Sequence, residues 1–198
     1  CGGADCVLEL YHKAPMELDV ACFGLDSAGR LSDEQYFVFY NQKQSPEQAV
    51  CLSAGVASGS ERFTLSLGKL PSKISKLSFA VSIDGTHTMR ELEKGYVRLL
   101  SGQTEMLRFS YYGAEFSGER AIVICEIYRK GDDWRFCAVG RGFNGGLKAL
   151  IESYGGSVAS PTPAQPPAAP VPAGTADAPV PPACPAGGIR AGAPRRPA

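Results

Sequence analysis

A glycine string, two histidines and five scattered carboxylates are the places where this sequence offers chemistry. The string is Gly140-Arg141-Gly142-Phe143-Asn144-Gly145, a G-x-G-x-x-G pattern between a predicted strand and a predicted helix. In a mononucleotide-binding unit such glycines bring a helix N-terminus onto a pyrophosphate. A second parallel strand about 20 residues later then supplies an acidic residue for the ribose. Here that position falls at Ser160-Pro161, inside a proline-rich stretch, and the strand before the glycines reads as the second arm of a hairpin. The glycines are therefore expected to turn the strand sharply and bring a helix close onto a sheet, with no cofactor. The histidines are His12 and His87, neither with a cysteine or serine placed to pair with it. No G-x-S-x-G, H-E-x-x-H or P-loop pattern is present, so an enzyme is not expected. The carboxylates are Glu17, Asp19, Asp26, Asp33 and Asp84, on several loops and strands. A Ca²⁺ ion takes about six to eight oxygens at once, so several would have to converge; the favoured reading is turn and surface carboxylates.

The elements that must carry these residues follow from composition and periodicity. Twelve of the 15 prolines lie in residues 157–198, a stretch built from Pro, Ala and Gly. Such a segment buries too little apolar surface to offset the entropy of ordering, so it is expected to be a disordered tail of polyproline-II character. Residues 1–156 then form one domain, large enough for a substantial core. Formal net charge is zero, which argues against nucleic acid as a partner. No run of about 18 apolar residues exists, so no membrane-spanning helix is expected. Seven cysteines, odd in number and without C-x-x-C spacing, disfavour a zinc ribbon and suit a reducing compartment. Cys1 reads first as the start of a trimmed or fragmentary chain, and second as the lipidated cysteine of a processed lipoprotein.

Short strands recur at intervals of about 8–12 residues, the spacing of an all-β sandwich. DCVLELY (residues 5–11) reads as an edge strand because Pro15 follows it. ELDVACFGL (17–25) alternates, with Leu18, Val20 and Cys22 on one face and Asp19, Ala21, Phe23 and Leu25 on the other. YFVFY (36–40) has the aromatic and β-branched composition of a strand. FTLSL (63–67) and LSFAVSI (77–83) alternate cleanly, and Asp84-Gly85 reads as a hairpin turn. Two further hairpins are expected, over 96–112 and 121–139. The helix is expected over 146–154, from Leu147, Leu150 and Ile151, with Gly155-Gly156 ending it. The fold class is thus an antiparallel β-sandwich with one short C-terminal helix, followed by the tail.

Residues 17–46, ELDVACFGLDSAGRLSDEQYFVFYNQKQSP, and residues 126–156, EIYRKGDDWRFCAVGRGFNGGLKALIESYGG, resemble the TerD-type family of bacterial tellurium-resistance and stress proteins. The resemblance rests on an acidic-Leu-Asp strand, V-F-Y-N ending in S-P, then E-x-Y-R, W-x-F-x-A-V-G-x-G and G-G-L, in the same order. It implies a cytoplasmic β-sandwich linked to tellurite and general chemical stress, with calcium bound in some members. The family's acidic loop is replaced here by Gly55-Val56-Ala57-Ser58-Gly59-Ser60-Glu61, with one carboxylate. Of the metal-binding positions that the resemblance carries over, only Glu17, Asp19 and Asp84 remain, so calcium binding is expected to be weak or absent. The expected function is a non-enzymatic adaptor or binding module of the stress response, with other stress-response proteins as partners. The proline-rich tail is expected to serve as linker or as a ligand for a polyproline-recognising partner. The alternative is a calcium- or small-ligand-binding sensor.

Overall fold

The computed structural model describes residues 5–156. The expected tail, 157–198, and Cys1 lie outside the described residues. Ten strands and one helix are described: β1 (Asp5–Lys13), β2 (Asp19–Leu25), β3 (Phe37–Val38), β4 (Val50–Ala54), β5 (Ser60–Ser66), β6 (Lys76–Ser82), β7 (Lys94–Ser101), β8 (Thr104–Tyr111), β9 (Ala121–Lys130), β10 (Asp133–Phe143) and α1 (Gly146–Ser153). They form two five-stranded sheets, β4-β5-β1-β7-β8 and β10-β9-β6-β2-β3. Every pairing is antiparallel, as expected for a sandwich.

The main core lies between the sheets. Leu8 and Leu10 of β1, Phe63 and Leu65 of β5, and Val97 of β7 meet Val20 and Cys22 of β2, Phe79 of β6 and Ile122 and Ile124 of β9. A second, smaller core explains why β2 is apolar on both faces. Ala21 and Phe23 of β2, with Ala80, Ala121 and Val123, turn outward and are covered by Leu150, Ile151 and Tyr154 from α1 and the residue after it. The small side chains let the helix lie close to the sheet. Tyr154 anchors it through a buried 2.7 Å hydrogen bond between its hydroxyl and that of Ser78.

Three expectations need correcting. β1 is the central strand of its sheet, between β5 and β7. Pro15 lies beyond the strand's last residue, so it costs the ladder nothing. The aromatic run 36–40 is mostly not strand: a 3-10 turn covers Glu34–Tyr36, and β3 pairs over two residues only. Tyr36 turns inward there, its hydroxyl donating to Glu47 at 2.9 Å, which takes it out of the ladder. Asp84-Gly85 begins a crossing from one sheet to the other, since β6 and β7 belong to different sheets. The hairpins β7–β8 and β9–β10 form as expected.

The glycine string has a local explanation. β10 is antiparallel to β9, and its register shifts between Ala138 and Arg141, where Gly140 sits at φ 70°. Gly142 leaves room for the Glu119 side chain, and a Cβ on Gly145 would come 2.7 Å from that of Ala149. The glycines thus shape the bulge and the start of α1. Gly155, at φ 74°, caps the helix by donating its N–H to the Glu152 carbonyl.

Candidate functional site

Where the β1–β2 connection, the β4–β5 turn and the loop after β3 meet, they leave an open cleft of about 560 Å³. That volume falls within the range of about 300–1,000 Å³ common to small-ligand sites. Each wall has a local cause. Beyond Ala54 the chain turns over small residues, and the Ser60 hydroxyl donates to the Ala57 carbonyl at 2.6 Å while accepting from the Ala57 N–H at 3.1 Å. This compact turn is stitched to β1 by the His12 N–H, which donates to the Gly59 carbonyl at 3.1 Å. Glu61 comes directly after Ser60, opposite Ala54 in the ladder, and its side chain enters the cleft. The β1–β2 connection supplies Glu17, the first residue of β2 is Asp19, and the loop after β3 supplies Tyr40 and Lys43.

The electrostatics of the cleft are those of crowded carboxylates. Burial raises the Asp19 carboxyl above its usual range, and the charges of Asp84 and Glu17 raise it further. Burial likewise raises Glu61, Asp19 adds to the effect, and the Lys43 ammonium opposes it. One carboxylate oxygen of Glu61, Oε2, is buried without a hydrogen-bond partner. Such an atom is costly to bury and marks a place where a donor or a cation would be stabilised.

His12 also borders the cleft, with its Nε2 2.6 Å from the buried Tyr111 hydroxyl. Burial pushes the ring down to about 4, so it is neutral at physiological pH and adds no positive charge. His87 lies elsewhere, 2.8 Å from Glu91. The hydrogen-bond partners of the two histidines are thus a tyrosine and a glutamate, not a cysteine or a serine.

Of the carboxylates singled out in the sequence, Glu17 and Asp19 line the cleft, and Asp84 lies near enough for its charge to act on Asp19. Asp26 and Asp33 are turn residues. Asp26 accepts from the N–H groups of Ala28 and Arg30, and Asp33 accepts from that of Gln35 and pairs with Lys73 at 2.7 Å. Glu61, Lys43 and His12 are the cleft residues that sequence reasoning did not assign to a site. The signal for Glu61 was its status as the one carboxylate of the 55–61 loop. Among the described residues, no three histidine, cysteine, aspartate or glutamate side chains are placed to hold a metal ion. A calcium ion takes about six to eight oxygens, from carboxylates, carbonyls and water together.

Two antiparallel sheets with a terminal helix over one of them define a β-sandwich domain, with an acidic cleft where its loops meet. The TerD domain model matches residues 5–154, and the chain belongs to the TerD domain family. It is 37% identical over 133 residues to tellurium resistance protein TerA of an Alcaligenes species, covering 66% of this chain and 38% of that protein. It is 33% identical to the uncharacterized protein YceE and 31% identical to general stress protein 16U, both of Bacillus subtilis (strain 168). Each of these matches covers 70% of this chain, with 78% and 77% of the respective relative. Among solved structures, a homologue of telluride resistance protein (TerD) from Streptomyces coelicolor A3(2) superposes with a TM-score of 0.61. It is 20% identical and covers 79% of this chain and 99% of that one, a likeness of fold. Among the described residues no helix is long and apolar enough to cross a membrane.

Proposed function

We propose that this chain is a non-enzymatic, cytoplasmic adaptor of the tellurium-resistance and stress-protein family, and that its cleft receives a positively charged group of a protein partner. The observation that carries this reading is the buried, unpartnered Oε2 of Glu61 among carboxylates that raise one another's proton affinity. Glu17, Asp19 and Glu61 line the cleft with Lys43, and the Asp84 charge acts on Asp19, a local excess of negative charge. A lysine or arginine side chain supplies both the charge and the donors that Glu61 lacks. The volume suits such a side chain better than a bare ion, and the apolar wall of Met16, Leu18 and Leu52 suits its methylene stem. The engagement of His12 with Tyr111 and of His87 with Glu91 supports a role without catalysis.

The second reading, a calcium-responsive sensor, draws on the same orphaned oxygen. A thermal-shift screen of the full chain against divalent metals and nucleotides separates the two. The adaptor reading expects a flat response. Calorimetric titration with calcium is expected to show no sub-micromolar binding; such affinity would reverse the order of the two readings.

A further inference from the structure

β8 and β10 end different sheets, and among the described strands no ladder joins them. On that side of the sandwich, Phe109 and Tyr111 of β8 and Ile122 and Ile124 of β9 line a pocket of about 170 Å³. Its walls have local causes. β8 ends at Tyr111, and a 3-10 turn over Gly113–Glu115 follows at once and brings Phe116 to the pocket. Gly95 stands opposite Tyr111 in the ladder, and a Cβ on it would collide with the Tyr111 ring. The ring thus lies across the β7 backbone, with its hydroxyl 2.6 Å from His12 Nε2. β10 passes the pocket at Gly140, within its bulge, where no side chain is present to close the mouth.

The lining is apolar, and its polar groups are already engaged. Tyr111 and Phe116 meet edge-on with ring centroids 6.4 Å apart, and Phe109 lies 6.3 Å from Tyr111. Ile122 and Ile124 are each 1% exposed. The Tyr111 hydroxyl is bonded to His12, and the exposed Glu115 carboxylate accepts the Tyr112 N–H at 2.8 Å. A buried water needs about two to four polar partners, and a cavity of about 150 Å³ lined by leucine, isoleucine and phenylalanine stays dry and takes up benzene.

We propose that this pocket is a binding site for a neutral molecule of one aromatic ring. Volume sets the size, because about 170 Å³ is the scale of a single ring. It lies below the roughly 300 Å³ at which ordinary drug-sized ligand sites begin. Chemistry sets the class. An added ring finds the edges and faces of Phe109, Tyr111 and Phe116, and ring pairs are favoured at about 4.5–7 Å between centroids. A charged ligand would lose its water at the isoleucine wall without gaining a partner. The Glu115 carboxylate at the rim repels an anion in particular. Tyr111 and His12 stand between this pocket and the acidic cleft, one lining each. Binding here draws on no cleft carboxylate, so the inference is independent of what the cleft receives.

Benzene titrated into the full chain and followed by methyl and aromatic NMR tests it. Saturable shifts are expected at Ile122, Ile124, Phe109 and Phe116, with Val123 and Leu150 of the second core unmoved. Benzoate, the same ring with a charge, is expected to leave all of them unmoved at the same concentration. Phe116→Trp fills the mouth and is expected to abolish the benzene shifts. Phe116→Ala widens the pocket and is expected to admit naphthalene, which the wild type excludes; the amide spectrum of the sheets checks that both variants fold. No saturable shift in the wild type, shifts spread equally through both cores, or an equal response to benzoate overturns the inference. Pocket signals that move on dilution before benzene is added would show the site filled by a second copy, and overturn it as well.

Discussion

Glu9 shows how a residue that looks misplaced becomes a requirement of the fold. It is 1% exposed on the outer face of the β4-β5-β1-β7-β8 sheet, where Arg62 and Arg98 stand directly across from it on β5 and β7. Arg62 donates to one of its oxygens at 3.0 Å and Arg98 to the other at 2.6 Å. Burial alone would raise its carboxyl, but the hydrogen bonds and charges of the two arginines outweigh burial and hold it below the usual range. Glu9→Ala is expected to cost about 3 kcal/mol, because both arginines lose their shared partner; urea denaturation measures it. The depressed value fixes the sign of the pH dependence. Stability from Glu9 is present above the ordinary glutamate range and is lost as pH falls through the folded value. Asp19 and Glu61 act in the opposite sense, since their folded values are raised. Their contribution is present at acid pH and is lost as pH rises through those values. Glu61→Gln is therefore expected to raise the melting temperature at neutral pH, with the gain vanishing toward acid pH; an equal gain at both ends would contradict the cleft electrostatics. At this scale the sequence was legible only in part. The alternation of DCVLELY places Glu9 opposite Leu8 and Leu10, yet its partners are 53 and 89 residues away. The coupling of Glu61 with Asp19 is likewise invisible until β2 and the β4–β5 turn meet in space.

Among the elements, hairpins and the helix were the readable parts, because their signals are local. Gly102 and Gly131 mark the β7–β8 and β9–β10 turns at φ 60° and 62°, and Leu147, Leu150 and Ile151 mark the face that α1 turns to the sheet. Strand order was not readable in the same way. β1 became central because β5 and β7 pair with its two edges from distant parts of the chain, which no local pattern encodes. The aromatic run 36–40 misled for a physical reason. Its rings serve a stack of Phe37 on Phe23 and Phe39 and the Tyr36–Glu47 hydrogen bond, and only Phe37 and Val38 pair with β2. The docking of α1 yields its own expected outcome. Tyr154→Phe removes one side of the Tyr154–Ser78 hydrogen bond and leaves a buried serine hydroxyl without its partner. The expected cost is about 1–3 kcal/mol, read by denaturation. Hydrogen exchange is expected to quicken in α1 before it does in β6; uniform quickening would show that the helix is not a separate dock.

The whole molecule divides its labour between two faces and one end. The outer face of the sheet that ends in β3 and β10 is partly covered by α1. The opposite outer face, held by Glu9, carries the Tyr11–Tyr96 stack at 5.0 Å with the Arg108 guanidinium 4.3 Å above the Tyr96 ring. The acidic cleft opens where the two sheets' loops meet, at the turn where the sequence resemblance leads one to expect more carboxylates. A loop expected to be rich in carboxylates keeps only Glu61, and Lys43 stands as a built-in counter-charge. Family and sandwich were legible because they rest on many residues spread along the chain; the cleft was not, because it rests on a few brought together by topology. The most direct test of the cleft's role compares the proteins retained from stressed cells by the full chain and by its Asp19→Asn, Glu61→Gln variant, after matching both for folding by their melting curves. The account expects partners held by the wild type to be lost from the variant and to be released from the wild type by added arginine. Identical partner sets on the two proteins, undisturbed by arginine, would contradict it.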